Sequence, residues 1–252
     1  MRAMKRRIAE KVCAALVWLA VWQAAAMLVR LPLLLPSPLD VVKRWAELAA
    51  TVSFWETVLA TLSHIALGFF SALAAGMLLA MLARRFRLAE TLLAPLMVTI
   101  RSVPVASFAV LAVIWFSKEN LSTILSLTIA LPIIYTNTLT GLRAIDPQLR
   151  EMADVFRLPA MRRIRCVDLP QIRPYLRSGI VIATGLCWKS GVAAELIGRP
   201  RGTIGAQLWD SKTYLEVPDA FAWTLTVAIL SLIFQAAVLY LAGLAARRLE
   251  RV

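Results

Sequence analysis

Apolar and charged positions in this chain alternate on the scale of whole helices. Runs of low charge recur at Val12 to Val29, Ile65 to Leu82, Leu92 to Phe116, Leu121 to Leu142, Gly179 to Ile197 and Ala220 to Ala245. Each approaches or exceeds the roughly 20 residues that a helix needs to cross a bilayer core. The pattern predicts an all-α, polytopic membrane protein with six transmembrane helices. Proline modulates the runs: Pro95 and Pro104 divide the third into an interfacial segment and a span that ends at the turn Ser117 to Asn120, and Pro132 breaks the fourth. After the first run, Pro32, Pro36 and Pro38 take the chain out of helix. From Leu39 to Leu62 the spacing is that of an amphipathic helix at the outer interface. Val42, Trp45, Leu48 and Ala49 share one face, with Lys43, Arg44 and Glu47 off it, and Trp45 and Trp55 suit the headgroup level. A second outer loop is expected over Gly198 to Asp219. Residues 1–64 are read as the N-terminal span with this outer segment, and residues 65–252 as the core.

Charge fixes the orientation. With 28 Lys and Arg against 15 Asp and Glu, the net charge is +13, which in a soluble protein would suggest nucleic acid. Here 60% of residues are hydrophobic and the mean hydropathy is +0.73, so the basic residues belong to loops. The N-terminus (Arg2, Lys5, Arg6, Arg7, Lys11), Arg84 to Arg87, Arg143 to Arg177 and the C-terminus (Arg247, Arg248, Arg251) hold 19 of them, against seven on the opposite loops. The positive-inside bias therefore puts both termini inside, makes the first run a span and not a cleaved signal, and removes nucleic acid as a partner. Cys13, Cys166 and Cys187 are scattered and odd in number, and His64 is the one histidine, so neither a disulfide framework nor a histidine-based metal site is expected.

Between the fourth and fifth runs lies a stretch that cannot sit in a bilayer, EMADVFRLPAMRRIRCVDLPQIRPYLR, from Glu151 to Arg177. Its Pro159, Pro170 and Pro174 predict short helices joined by turns, the first starting at Glu151, where a helix N-terminus favours an acidic side chain. Glu151-x-Ala153, a turn position at Arg157, and Val167-Asp168-Leu169-Pro170 resemble the EAA loop of bacterial ABC importer permeases. Met152 stands where that family usually has Ala, and Arg157 where it usually has Gly. The resemblance implies a cytoplasmic coupling helix within residues 143–177, with Glu151, Met152, Ala153, Asp154, Phe156, Arg157, Leu158 and Pro159 docking on a separate ATPase subunit. It further implies a homodimer in the bacterial inner membrane and a solute-binding protein outside. No cofactor is expected on this chain, with ATP on the partner subunit. In keeping with this, no GxxxxGK[ST] loop, HExxH, GxSxG or pair of intramembrane carboxylates occurs in the sequence.

Further stretches, Arg101-Ser-Val-Pro-Val, Ile114-Trp-Phe, Trp188 to Gly198 and Ile204-Gly-Ala-Gln-Leu, are similar to the nitrate/sulfonate/taurine branch of these permeases. Two cations fall inside apolar runs. Arg101 lies near a boundary and can snorkel to water. Lys189 falls mid-span, where a charge costs about 2.5–3.5 kcal/mol and normally faces a bundle interior or cavity. It either binds carbonyls near Pro104 or Pro132 or lines a pathway that attracts anions. Glu195, six residues on, occupies another helix face; it caps the outer gate, pairs with Arg199 or Arg201, or joins the pathway. The function expected from the resemblance is solute import, with an anion such as a sulfonate or nitrate as the best reading. A cationic or neutral solute such as a thiamine precursor is the nearer alternative, and a six-span membrane enzyme or scaffold the more distant one.

Overall fold

The computed structural model describes residues 2–29, 31 and 34–250, with side chains described except at 2–9, 11, 12, 15, 160 and 247–250. Arg30, Pro32 and Arg251, and the side chains of Arg2, Lys5, Arg6, Arg7, Lys11, Arg247 and Arg248, lie outside the described residues. The described chain is helical throughout: α1 (Arg2–Val29), α2 (Pro38–Ala49), α3 (Val52–Arg85), α4 (Arg87–Ser102), α5 (Val105–Trp115), α6 (Leu121–Arg143), α7 (Pro147–Val155), α8 (Ala160–Arg163), a π turn (Ile164–Asp168), α9 (Leu169–Gly198), α10 (Ile204–Thr213) and α11 (Val217–Glu250). Among the described residues α3, α6, α11 and a helix over Met161–Gly198 are long and apolar enough to cross a membrane. The pair α4 and α5 makes a fifth if it counts as one span, and α1 contributes the shorter apolar segment Leu16–Val29.

Several boundaries differ from those expected. The amphipathic stretch is two helices, because Thr51 caps a new one by accepting from the amide of Phe54; that helix then runs unbroken across residue 64 to Arg85. In α2 it is Val41 that is buried, while Val42 is exposed. The third run is no straight span. Val103, held extended at ψ 128 by the proline that follows, lets α4 and α5 meet at 104°. The loop after α9 contains α10, capped by the Thr203 side chain, which accepts from the amide of Ala206. Pro170 and Pro174 do not end a helix as expected. The π turn just before α9 bonds the amide of Leu169 to the carbonyl of Ile164, a wider register that accommodates the missing amide of Pro170, which lies in the first turn of α9.

The core is the meeting of α3, α6, α9 and α11, where Ile65, Phe69, Ile134 and Trp188 are buried and Phe234 packs edge-on to Phe69 and Trp188. Lipid tails are as apolar as these side chains, so close packing holds the helices together more than escape from water does. Small residues permit it. A Cβ on Gly68 would lie 2.4 Å from the carbonyl oxygen of Thr123, and one on Gly191 would lie 2.7 Å from Ile65. At one edge α2 is tied to α11: Arg44 donates to both oxygens of Asp219, at 2.6 and 2.9 Å, and the indole of Trp45 donates to Thr226 at 3.1 Å. The Asp219 carboxylate raises the pKa of the Arg44 guanidinium.

Candidate functional site: the Glu151 loop and the Lys189 face

The loop is built as a capped helix on a charged frame. Asp146, not Glu151, begins α7: its side chain accepts from the amide of Gln148 at 2.8 Å, and Pro147 supplies the first turn. Glu151 therefore sits mid-helix and exposed. The frame is fixed to α9 and its approach by two arginines. Arg150 donates to Asp168 at 3.1 Å and Arg163 to Asp154 at 3.0 Å. The amide of Asp146 also donates to the side-chain oxygen of Gln171 at 2.9 Å.

At its other end α7 closes in a Schellman motif. The amide of Leu158 donates to the carbonyl of Ala153 at 2.9 Å and that of Arg157 to Asp154 at 3.0 Å. Arg157 takes the left-handed conformation at φ 50, the strain anticipated for a non-glycine residue at this position. Ala153 is fully buried under the turn, whereas Val155 is 80% and Phe156 72% exposed. Met152, Asp154, Arg157 and Pro159 are exposed and Leu158 is half-buried. Met161 and Ile164 are also exposed, so apolar side chains recur at the surface of a segment too charged for the bilayer. The sequence did not single out Val155, Met161 or Ile164; their signal is that apolar side chains recur there among arginines.

Lys189 and Arg101 have different surroundings. Lys189 is exposed on α9 and makes no hydrogen bond or ion pair among the described residues. One turn before it, a Cβ on Gly185 would meet nothing within 4 Å. Ile182 and Leu186 flank it, and α5 exposes Val110, Leu111 and Ile114. The carbonyl at Pro132 receives Arg101, not Lys189: the guanidinium donates to it at 3.0 Å and to the Thr136 hydroxyl at 2.7 Å. This pins the end of α4 to α6.

Glu195 stands apart from both. It is fully buried and accepts from the Thr61 hydroxyl at 2.9 Å and from the amide of Gly205 at 3.2 Å. Thr61 in turn accepts from the amide of Ile204 at 2.9 Å. The carboxylate thus serves the first amides of α10, where a helix N-terminus favours negative charge. His64 Nδ1 lies 3.7 Å from its other oxygen. Thr61 and His64 were not legible as its partners, because they lie more than 130 residues away in sequence. The expected pairing with Arg199 or Arg201 is not what the structure shows; Arg199 instead stacks on Trp209 at 4.3 Å.

Residues 72–251 match the family described as binding-protein-dependent transport system inner membrane component. The chain belongs to that family. A Bacillus subtilis strain 168 protein named as an aliphatic sulfonates transport permease is 29% identical over 213 residues, 84% of this chain and 77% of the relative. A riboflavin transport system permease protein of Chloroflexus aurantiacus is 30% identical over 236 residues, covering 92% and 86%. The taurine transport system permease protein of Escherichia coli K12 is 26% identical over 239 residues, again covering 92% and 86%. The permease is accordingly a multi-pass component of a bacterial inner membrane, and the enzyme and scaffold readings fall away.

Proposed function

We propose that this permease is the translocating subunit of an importer in which two copies enclose a pathway, ATPase subunits dock on the Glu151 loops, and a binding protein delivers an anionic solute from outside. In this reading the core of residues 65–252 carries transport, six spans cross the membrane, and both termini lie inside. The observation that carries it is α7 itself. A capped helix held by Arg150 and Arg163 presents Val155 and Phe156 to water, and exposed apolar groups on a rigid, charged support suit a protein groove. Hydrolysis then belongs to the partner, whose closure on ATP is transmitted through α7 and Asp168 into α9.

The exposed, unpaired Lys189 beside open space at Gly185 supports a pathway lining that rewards negative charge, and the names of the sulfonate and taurine relatives support an anion. The riboflavin relative favours a neutral solute instead. The coupling reading is tested with Glu151→Lys, which places positive charge on the docking helix without touching the core. The expected outcome is an inserted, folded permease that no longer recovers ATPase subunits or imports solute in vesicles. Normal uptake by this variant would remove α7 from the coupling role.

A further inference from the structure

Away from the Lys189 face, a groove of about 500 Å³ opens between α3, the first half of α9 and the last turns of α11, within the roughly 300–1,000 Å³ typical of ligand sites. Its walls are apolar: Leu73 and Met77 from α3, Ile180 from α9, Leu239 from α11. A Cβ on Gly243, which also lines it, would meet nothing within 4 Å, so the floor is open where a side chain would otherwise stand. The groove's polar lining comes from Arg173 and Arg177, one turn apart on the same face of α9 as Ile180, and from Tyr240 on α11, and among the described residues no acidic side chain lines it. Arg173 and Arg177 close the charged stretch that begins at Glu151 and stand just before the apolar run from Gly179, where basic residues flank a span.

This lining matches one occupant. We propose that the groove seats an acyl chain of an anionic phospholipid from the leaflet adjoining the Glu151 loop, with its phosphate at Arg177. Basic pockets between spans are suited to such headgroups, and the planar guanidinium fork fits phosphate oxygens. A transported solute is a poor match, because the groove lies on a face different from that of Lys189 and its length is hydrocarbon-lined. The proposal needs only that the chain spans a membrane, so it stands or falls separately from the transport reading.

The test uses the full-length permease, delipidated in detergent and titrated with phosphatidylglycerol, phosphatidylethanolamine or inorganic phosphate, with bound lipid counted by native mass spectrometry. Phosphatidylglycerol is expected to bind more tightly than phosphatidylethanolamine. Arg177→Gln is expected to weaken it about tenfold, the order of one charge-assisted contact. Arg177→Lys, which keeps the charge and loses the fork, should fall between. Gly243→Leu should exclude the chain while leaving both arginines in place. Equal retention of the two lipids, or unchanged retention in both Arg177→Gln and Gly243→Leu, would overturn the proposal. Displacement of phosphatidylglycerol by millimolar phosphate would mark a free-anion site instead. Disulfide cross-linking of Gly243→Cys between two copies would assign the groove to the dimer and also overturn it.

Discussion

Replacing Arg157 by glycine separates two roles that the wild-type residue combines. Its backbone sits at φ 50, which costs an L-residue about 1–2 kcal/mol and glycine almost nothing. Glycine gives back up to about 1 kcal/mol through greater freedom in the open loop, leaving a net gain of roughly 0.5–1 kcal/mol. The Schellman hydrogen bonds are backbone bonds and survive, so the gain should appear locally. Hydrogen exchange at the amide of Leu158, bonded to Ala153, is expected to slow about two- to fivefold. The Arg157 side chain makes no hydrogen bond or ion pair among the described residues; its guanidinium is therefore open to a partner. If it meets an acidic group on the ATPase, Arg157→Gly should weaken subunit association about tenfold, near 1.4 kcal/mol. Arg157→Asn, which tolerates the left-handed backbone but lacks the charge, should show the same loss. Faster exchange at Leu158 would refute the strain argument. Association as tight as wild type in both variants would refute the contact.

Two further outcomes follow from the membrane core. Lys189→Met should abolish uptake of an anionic solute while assembly and basal ATPase activity persist; retained uptake would exclude Lys189 from solute contact and favour a neutral solute. Thr61→Val strips the Glu195 carboxylate of a donor and the amide of Ile204 of its acceptor, at about 1–3 kcal/mol for each buried group left unsatisfied. The expected readout is a lower unfolding temperature in detergent, with proteolysis appearing first around α10, and an unchanged unfolding temperature would refute the role assigned to this node.

The four runs held in α3, α6, α9 and α11 were legible as helices long enough to span because a bilayer forces every backbone polar group into a helix, so apolar length reports them; the third run bends between α4 and α5 and the first gives only the shorter segment Leu16–Val29. The strain at Arg157 was legible too, as a departure from a pattern with a known backbone demand. What escaped the sequence depended on partners distant in the chain or on register. The helix α10 is short and rests on Glu195, which is held by Thr61 across 134 residues. Pro170 was misread because it falls in the first turn of α9, where the π turn at Ile164–Asp168 has changed the register just upstream; Pro174 lies inside α9 without ending it. Glu195 was read by its charge as a cap of the outer gate, a partner of Arg199 or Arg201, or part of the pathway, and the structure buries it on the Thr61 hydroxyl and the Gly205 amide, where it anchors α10.

From Met161 to Gly198 the last turn of α8, the π turn and α9 run on as 38 continuous helical residues, about 57 Å at 1.5 Å per residue, against a hydrocarbon core of about 30 Å. This length projects from the bilayer, carrying Asp168 near one end and Glu195 near the other. The same helix therefore carries two separate attachments: Arg150 of α7 donates to Asp168 near one end, and the amide of Gly205 in α10 donates to Glu195 near the other. The α7 loop and α10 are thus joined through one stretch of backbone, with Lys189 on the stretch between the two attachments.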